Sequence, residues 1–378
     1  MPESNNTYKK VQPSQTPGKE VPFSSNMVRL SLSHWFISAV LLVFLFITIP
    51  LFWDKFEPLN VDGDSRAAYA LSQDYWHYSR YAARQMKKEG LIAVMGDSVV
   101  WGEYVEPNGT LSHYLNEQLS TEHFVNLGIN GSHPMALSGL VEFYARAVRN
   151  SDVLLQYNPL WMSSARHDLQ INKEFSFNHP RLVPQFAVKI PCYRASLSEK
   201  VSVVMDRYIE FRSWSRHLSI TCFDNKDFPA WSLENAYANP FAMNSDNLAQ
   251  KRHDPVSWQT RGMREQKMDW VDLETSLQWA AFERTIKTLQ KRGNRVFVLV
   301  GPFNEHCLEP DSKAQYQALK QNIGHRLEEK NVAYLMADPV PSDLYADSSH
   351  PLAQGYEMLV RDVTASDPFQ RWYNNRSQ

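Results

Sequence analysis

Cysteine, basic charge and nucleotide-binding motifs are scarce or absent in this sequence. Its 378 residues include three cysteines, and 39 lysines and arginines stand against 41 aspartates and glutamates. No CxxC, HExxH, GxxxxGK(S/T) or GxGxxG pattern occurs, so the usual signals for structural zinc, zinc proteases, P-loops and dinucleotide sites are missing. The lack of a basic excess argues against nucleic acid as a partner. We therefore expect chemistry that uses no metal and no cofactor.

The few cysteines leave two interpretations open. In an oxidising compartment, Cys192 and Cys222 could form a disulfide within one loop-rich region. Alternatively, Cys192, Cys222 and Cys307 are three buried thiols; the odd count leaves at least one cysteine unpaired in either case.

One stretch near the N-terminus lacks charge altogether. Residues 1–32 are polar, and we expect a disordered tail because they cannot bury enough surface to fold. From Trp35 to Trp53 no charged residue follows, and about 20 apolar residues suffice to span a bilayer. We predict a transmembrane anchor over residues 33–53; a buried core helix and a cleaved signal peptide are the alternatives.

The flanking charges predict how this anchor is oriented. Four basic residues precede the apolar stretch, whereas Lys55 is the one basic residue soon after it. By the positive-inside rule, we expect the tail in the cytoplasm and residues 54–378 outside it, in the periplasm. We expect a single-pass protein of the cell membrane whose main domain is extracytoplasmic.

The rest of the chain alternates short apolar runs with amphipathic stretches. A charged and aromatic segment, residues 66–89, predicts a helix ending before Gly90. Strand-like runs follow at 91–95, 124–127, 153–157, 295–300 and 332–336, with helical spacing between most of them. This alternation predicts βαβ units and an α/β fold with a parallel sheet.

Residues 165–270 interrupt that alternation. They contain several tryptophans and prolines among mixed charges. We interpret them as an inserted cap beside the sheet, with a separate domain as the alternative.

A candidate serine nucleophile follows the first predicted strand, in Gly96-Asp97-Ser98. Such a serine needs a base within hydrogen-bond reach and an acid that orients the base. Asp347 and His350, just before Pro351 and the final helix, supply the best pair, because this spacing can bring the carboxylate to Nδ1 and leave Nε2 for Ser98. The alternative is that Asp347 caps a helix and His350 is a surface histidine.

Candidate oxyanion donors follow the second and third strands. They are the backbone N–H of Gly131 and the side-chain amide of Asn158, together with the N–H of Ser98. Taken alone, Gly131 and Asn158 are ordinary turn residues. Because the carboxyl ends of parallel strands share one edge of a sheet, however, these loops and the Asp347/His350 loop are expected to converge.

In these blocks the chain resembles the SGNH, or GDSL-type, hydrolases. Gly96-Asp97-Ser98 corresponds to the first block, Asn126 to Gly131 to the second, and Asp347-Ser348-Ser349-His350-Pro351 to the last. The third block, usually GxND, reads Gln156-Tyr157-Asn158-Pro159, which keeps the asparagine but neither the glycine nor the aspartate. The resemblance implies a flavodoxin-like three-layer αβα sandwich and ester hydrolysis or acyl transfer without a metal.

A narrower likeness concerns the anchor together with Asn158-Pro159-Leu160-Trp161. Both features resemble the cell-envelope acyl-transfer members of that superfamily, including the D-alanyl-transfer and alginate O-acetylation types, which work beside a membrane-bound O-acyltransferase.

The leading hypothesis is a membrane-anchored serine esterase acting on acyl groups, such as O-acetyl, of a cell-envelope glycan. An O-acyltransferase with a membrane-bound O-acyltransferase partner and a non-catalytic, tethered glycan-binding protein are the alternatives.

Overall fold

The computed structural model describes residues 30–59, 65–239 and 255–376. The described residues divide into two compact units, one ending at Ile49 and the other beginning at Pro50. The predicted disordered tail falls almost entirely on residues 1–29, which lie outside the described residues.

The first helix, α1, spans Leu32–Phe52 and contains no charged residue. Its most apolar 18-residue window has a mean hydropathy of 2.6, so α1 is long and apolar enough to cross a membrane by length and composition. These bounds agree with the predicted span, 33–53, to within one residue at each end. Pro50 lies in the last turn, where it interrupts little of the hydrogen-bond ladder.

The second unit contains a five-stranded parallel sheet with strand order β2-β1-β3-β4-β5. This confirms the predicted α/β class and the parallel sheet. The strands are β1 (Ile92–Met95), β2 (Phe124–Asn126), β3 (Asp152–Tyr157), β4 (Arg295–Val300) and β5 (Ala333–Met336). Ala93 of β1 lies opposite Val125 on one side and Val153 on the other, which fixes the register at the centre of the sheet.

Helices precede, connect and follow these strands. They are α2 (Tyr75–Gln85), α3 (Ser98–Trp101), α4 (Leu111–Gln118), α5 (Pro134–Phe143), α6 (Leu197–Tyr208), α7 (Glu210–Cys222), α8 (Phe228–Glu234), α9 (Leu277–Lys291), α10 (Pro310–Glu329), α11 (Ala353–Ala365) and α12 (Asp367–Asn374). Helix α2 is shorter than the predicted 66–89: the Asp74 side chain caps its start, accepting the His77 N–H at 2.9 Å, and the helix ends at Gln85.

Both faces of the sheet are covered by helices. Along β1, Ala93 and Met95 join one apolar core with α2, α5, α9 and α10, whereas Ile92 and Val94 join another with α4, α11 and α12. Successive side chains of a strand point to opposite faces, so β1 is apolar at every position and buried on both sides. This burial explains why the strands appear in the sequence as continuous apolar runs.

The strand order also creates a crevice at the carboxyl ends of the strands. The chain moves from β1 outward to β2 and then returns to the other side of β1 as β3. At such a switch point the connections from neighbouring strands run to opposite faces of the sheet, and the crevice between them can hold a ligand. The loops after β1, β2 and β3 carry Ser98, Gly131 and Asn158.

The segment predicted as an insertion, 165–270, lies between β3 and α9 and contains α6, α7 and α8. It belongs to the same compact unit as the sheet, and α7 packs against α2. Residues 240–254 of this segment lie outside the described residues. Cys192, Cys222 and Cys307 are free, buried thiols, in agreement with the second interpretation of the cysteines.

Candidate active site

Ser98 is the first residue of α3, directly after the turn that ends β1. Asp97 precedes it as the N-cap, and the carboxylate of Asp97 accepts the N–H of Val99 at 2.9 Å. The serine is buried, with 7% of its surface exposed. A short strand–turn–helix segment thus holds its hydroxyl at the carboxyl edge of the sheet.

Ser98, His350 and Asp347 form a continuous hydrogen-bonded chain. The Ser98 Oγ lies 2.8 Å from His350 Nε2. On the other side of the ring, His350 Nδ1 lies 2.8 Å from each carboxylate oxygen of Asp347. The structure therefore brings together three residues that the sequence separates by up to 252 positions.

A tight turn fixes the Asp347–His350 pair. Asp347 Oδ1 accepts the backbone N–H of Ser349 at 2.9 Å and that of His350 at 3.0 Å. Helix α11 begins later, at Ala353, with Leu352 in the N-cap position. Asp347 therefore orients a turn and a histidine rather than capping a helix, and His350 is buried rather than on the surface.

The electrostatics of this pair suit a general base. Burial alone would raise the pKa of Asp347, but the adjacent His350 outweighs it and lowers that pKa to about 2. Burial alone would likewise lower the pKa of His350, yet Asp347 raises it above its ordinary value. A carboxylate that stays ionised beside the imidazole stabilises the protonated ring once Ser98 has given up its proton.

Tyr104, which the sequence analysis did not identify, supports the same pair. Its ring lies edge-on to that of His350, with centroids 5.4 Å apart, and its hydroxyl is hydrogen-bonded to Asp347. Burial and the neighbouring carboxylate raise the pKa of Tyr104 to about 12, so the hydroxyl stays protonated and donates. The guanidinium of Arg261 lies over the Tyr104 ring at 4.6 Å. No local motif marks this tyrosine, because its partners are distant in sequence.

Gly131, the candidate oxyanion glycine, has φ = +72° in the loop after β2. An L side chain is strained at this angle, and a Cβ there would come within 2.5 Å of Asn178 Nδ2. The loop therefore requires glycine both for its backbone angle and for the approach of Asn178.

Asn158 follows β3, and its side chain is held by two contacts. Nδ2 donates to Asp97 Oδ2 at 2.8 Å, and Oδ1 accepts the N–H of Leu160 at 3.0 Å. Since a primary amide carries two hydrogens, one N–H remains after the contact with Asp97. Asn158 is therefore fixed at the edge of the sheet where the sequence predicted an oxyanion donor.

Asp97 links the loops after β1 and β3. Besides the N–H of Val99 and the amide of Asn158, its carboxylate accepts the indole N–H of Trp161 at 2.8 Å. It is 3% exposed, and burial raises its pKa. With these donors around it, Asp97 holds two loops in place, whereas Asp347 holds the imidazole.

A polar cavity of about 520 Å³ extends from the candidate oxyanion loop. The residues around it are largely amides, hydroxyls and single charges: Tyr69, Ser72, Gln73, Glu103, Asn130, Gly131, Asn178, His179, Arg216, Ile220 and Asn225. The Glu103 N–H donates to the Ser98 carbonyl at 3.1 Å, so one wall of the cavity is continuous with the segment that carries the serine. Helix α7 of the insertion supplies Arg216.

A second histidine–carboxylate cluster shares no residue with this site. His217 lies 2.7 Å from Asp74 through Nδ1 and 2.7 Å from Glu57 through Nε2. Burial alone would lower the pKa of His217, but the two carboxylates raise it to about 9. Glu57, His77 and His217 have the ligand types of a metal site. A protonated His217 and the Arg80 guanidinium, 3.1 Å from Glu57, favour a buried ion-pair network instead.

In comparisons with known proteins, no protein-family profile matches this chain. No curated protein matches it with significance either.

Proposed function

We propose that this protein is a membrane-anchored serine esterase of the SGNH type, which cleaves an ester through an acyl-enzyme on Ser98. The observation that carries the proposal is the contact of Ser98 Oγ with His350 Nε2, backed by Asp347 on Nδ1. Nucleophile, base and orienting acid at hydrogen-bond distance are what nucleophilic acyl transfer requires.

The reaction follows from these positions. His350 Nε2 accepts the Ser98 proton while Oγ attacks the ester carbon, and the charge that develops on the carbonyl oxygen is held by the oxyanion donors. Collapse of this intermediate breaks the bond to the alcohol, which takes the proton from His350. Water then attacks the acyl-enzyme, gives a proton to His350 and releases the acid, and Ser98 regains its proton.

The N–H groups of Ser98 and Gly131 and the second amide hydrogen of Asn158 are the proposed oxyanion donors. The contact between Asp97 and Asn158 supports this role, because it fixes the amide at the edge of the sheet that carries Ser98. Each such donor typically contributes about 3 kcal/mol to the stability of the transition state.

The topology is consistent with the SGNH assignment. The order β2-β1-β3-β4-β5, with helices on both faces, is that of flavodoxin-like doubly wound sheets. A resemblance of fold alone does not assign function, so the proposal depends on the side chains at the site.

The proposed substrate is an acyl ester on a glycan of the cell envelope. A polar cavity lined with amides and hydroxyls suits a polyhydroxylated ligand. An uncharged N-terminal helix with basic residues before it supports a domain held outside the cytoplasm.

Acyl transfer to a sugar hydroxyl is the second candidate function. The cavity beside Gly131 favours it, because an alcohol bound there could replace water as the acceptor. A membrane-bound O-acyltransferase is the proposed source of acyl groups in that case.

The test uses the full chain in detergent. We expect p-nitrophenyl acetate turnover and covalent labelling by a fluorophosphonate, both lost in Ser98→Ala. Ser198→Ala, a change at an exposed serine on α6, is the matched control and should behave like the wild type. Equal activity and labelling in Ser98→Ala and wild type would exclude the catalytic assignment. Acylated product formed only when a glycan acceptor is added would identify the transferase.

A further inference from the structure

Helix α6 presents an apolar face to solvent. Leu197, Val201, Met205 and Tyr208 are 71%, 46%, 40% and 68% exposed. Their spacing of four, four and three residues places them on one side of the helix. We call these four residues the α6 stripe. An exposed apolar face of this kind usually marks a surface that contacts something.

The other side of α6 buries one apolar residue, Val203, and one charged residue, Asp206. Asp206 is 8% exposed and pairs with Arg181 and with Arg212, whose Nε lies 2.8 Å away. At the N-terminus, Ser196 and Glu199 form a complete capping box. The helix therefore has a defined start, and it buries Val203 and Asp206 while the four apolar residues of the stripe face solvent.

Helix α7, which packs against α6, holds the residues that follow α1. The Trp53 ring packs edge-on against Trp214 of α7, with centroids 5.1 Å apart, and Glu57 pairs with His217 of the same helix. Trp53 is the next residue after Phe52, where α1 ends. Since consecutive Cα atoms are 3.8 Å apart, chain connectivity alone keeps this part of the insertion near the end of the apolar helix.

The exposed charges around the stripe are of both signs. Within residues 181–226, Lys189, Arg194 and Arg212 are exposed, and so are Glu199, Glu210 and Asp224. The apolar area of the stripe, rather than a net charge, is therefore what would draw this helix to a lipid surface.

We propose that α6 lies in the interface of the bilayer that α1 spans, with the α6 stripe at the boundary between headgroups and acyl chains. The proposal rests on α1 being a membrane span and is independent of the esterase assignment. Tethering favours a bilayer over a free protein partner, because it holds the stripe at high local concentration next to lipid.

The test is a fluorescence measurement on the full chain in vesicles of phosphatidylcholine and phosphatidylglycerol. Bimane is attached at Val201→Cys, and Met358→Cys on α11, at a position 38% exposed, is the matched control. The native cysteines are buried, so the introduced thiol reacts first. We expect blue-shifted emission and quenching by doxyl-labelled lipid at position 201, at least several-fold stronger than at position 358. Adding Leu197→Glu to Val201→Cys should reduce this quenching, with the thermal unfolding midpoint unchanged.

Three results would overturn the proposal. Equal quenching at positions 201 and 358 shows that the stripe does not meet lipid. Disulfide cross-linking of Val201→Cys between two chains, without quenching by lipid, assigns the stripe to a second copy. Release of the wild-type chain from membranes by alkaline carbonate shows that α1 is not a span, and the proposal fails with it.

Discussion

Asp97 accepts a 2.8 Å hydrogen bond from the side-chain amide of Asn158, and this contact ties the turn before Ser98 to the end of β3. The same carboxylate accepts the indole N–H of Trp161. The acid next to the proposed nucleophile thus positions an oxyanion donor, while a different acid, Asp347, orients the base. This division of roles leads to the first prediction.

Replacing Asp97 with asparagine should lower kcat by roughly 10²- to 10³-fold, the effect of losing one oxyanion donor. An asparagine side chain has only one acceptor oxygen. If that oxygen accepts from Asn158 and Trp161, the new amide N–H groups face the N–H of Val99, which is itself a donor. Steady-state p-nitrophenyl acetate kinetics measure the change, with KM affected less than kcat. Asp362→Asn, at an exposed position on α11, is the control. A kcat within twofold of wild type would exclude this positioning role.

The pH profile should report His350 acting as a base. The imidazole must be neutral to accept the Ser98 proton, and its pKa is raised by Asp347. We therefore expect kcat/KM to rise with pH and level off, with a midpoint above 6.5.

Replacing Asp347 with asparagine tests the origin of that midpoint. The substitution removes the charge that raises the pKa of His350, so the midpoint should move to lower pH while the rate falls by roughly 10⁴-fold. Asp343→Asn, at an exposed carboxylate in the same loop, should leave both unchanged. If the midpoint is unchanged in Asp347→Asn, the rise of kcat/KM with pH belongs to a group other than His350.

Tyr104→Phe should reduce kcat by about 5- to 30-fold, equivalent to losing a hydrogen bond worth ~1–2 kcal/mol. The hydroxyl donates to Asp347, and without it the carboxylate interacts more strongly with protonated His350. The midpoint of the pH profile should consequently move to higher pH, which a purely structural role for Tyr104 would not cause. A lower rate with an unshifted midpoint would mean that the ring matters only for packing.

Gly131→Ala should abolish most activity, and the chain supplies a matched control. Gly131 and Gly262 have φ of +72° and +75°, so alanine at either position costs about 1–2 kcal/mol in backbone strain. At Gly262 nothing lies within 4 Å of the added Cβ, whereas at Gly131 it would meet Asn178. Thermal unfolding should show the loss from backbone strain in both variants, with a further loss in Gly131→Ala because Asn178 must shift, and fluorophosphonate labelling should be lost only in Gly131→Ala. Equal labelling would contradict an oxyanion role for this loop.

The His217 network should make stability depend on alkaline pH. Its pKa is raised from 6.5 in the unfolded chain to about 9, so the stabilisation is complete below pH 6.5 and is lost as pH rises through about 9. The shift corresponds to at most on the order of 3 kcal/mol. Urea unfolding of the full chain between pH 6 and 10 should show this loss, and His217→Gln should be less stable at pH 6 with a flatter profile. If the free energies of unfolding of the wild type and of His217→Gln change in parallel with pH, the His217 network is not the cause of the pH dependence.

Much of the fold could be predicted from local patterns. The strands are buried on both faces, so they appear as apolar runs, and β1 and β4 lie within the predicted ranges 91–95 and 295–300. Helix α2 was predicted too long, because the amphipathic pattern of 66–89 does not reveal that Asp74 caps the helix. The interior of the insertion could not be predicted, since α6 buries an ion pair and exposes apolar side chains.

The sequence by itself determined the α/β class, the apolar span and the residue types at the ends of β1, β2 and β3, because short-range periodicity and turn chemistry are written in neighbouring positions. Tertiary structure alone decided that Ser98 Oγ meets His350 Nε2 at 2.8 Å, that Asp97 holds Asn158, and that Tyr104 supports Asp347. These contacts join residues from 61 to 252 positions apart, and only the strand order and packing of the sheet bring their loops to one edge.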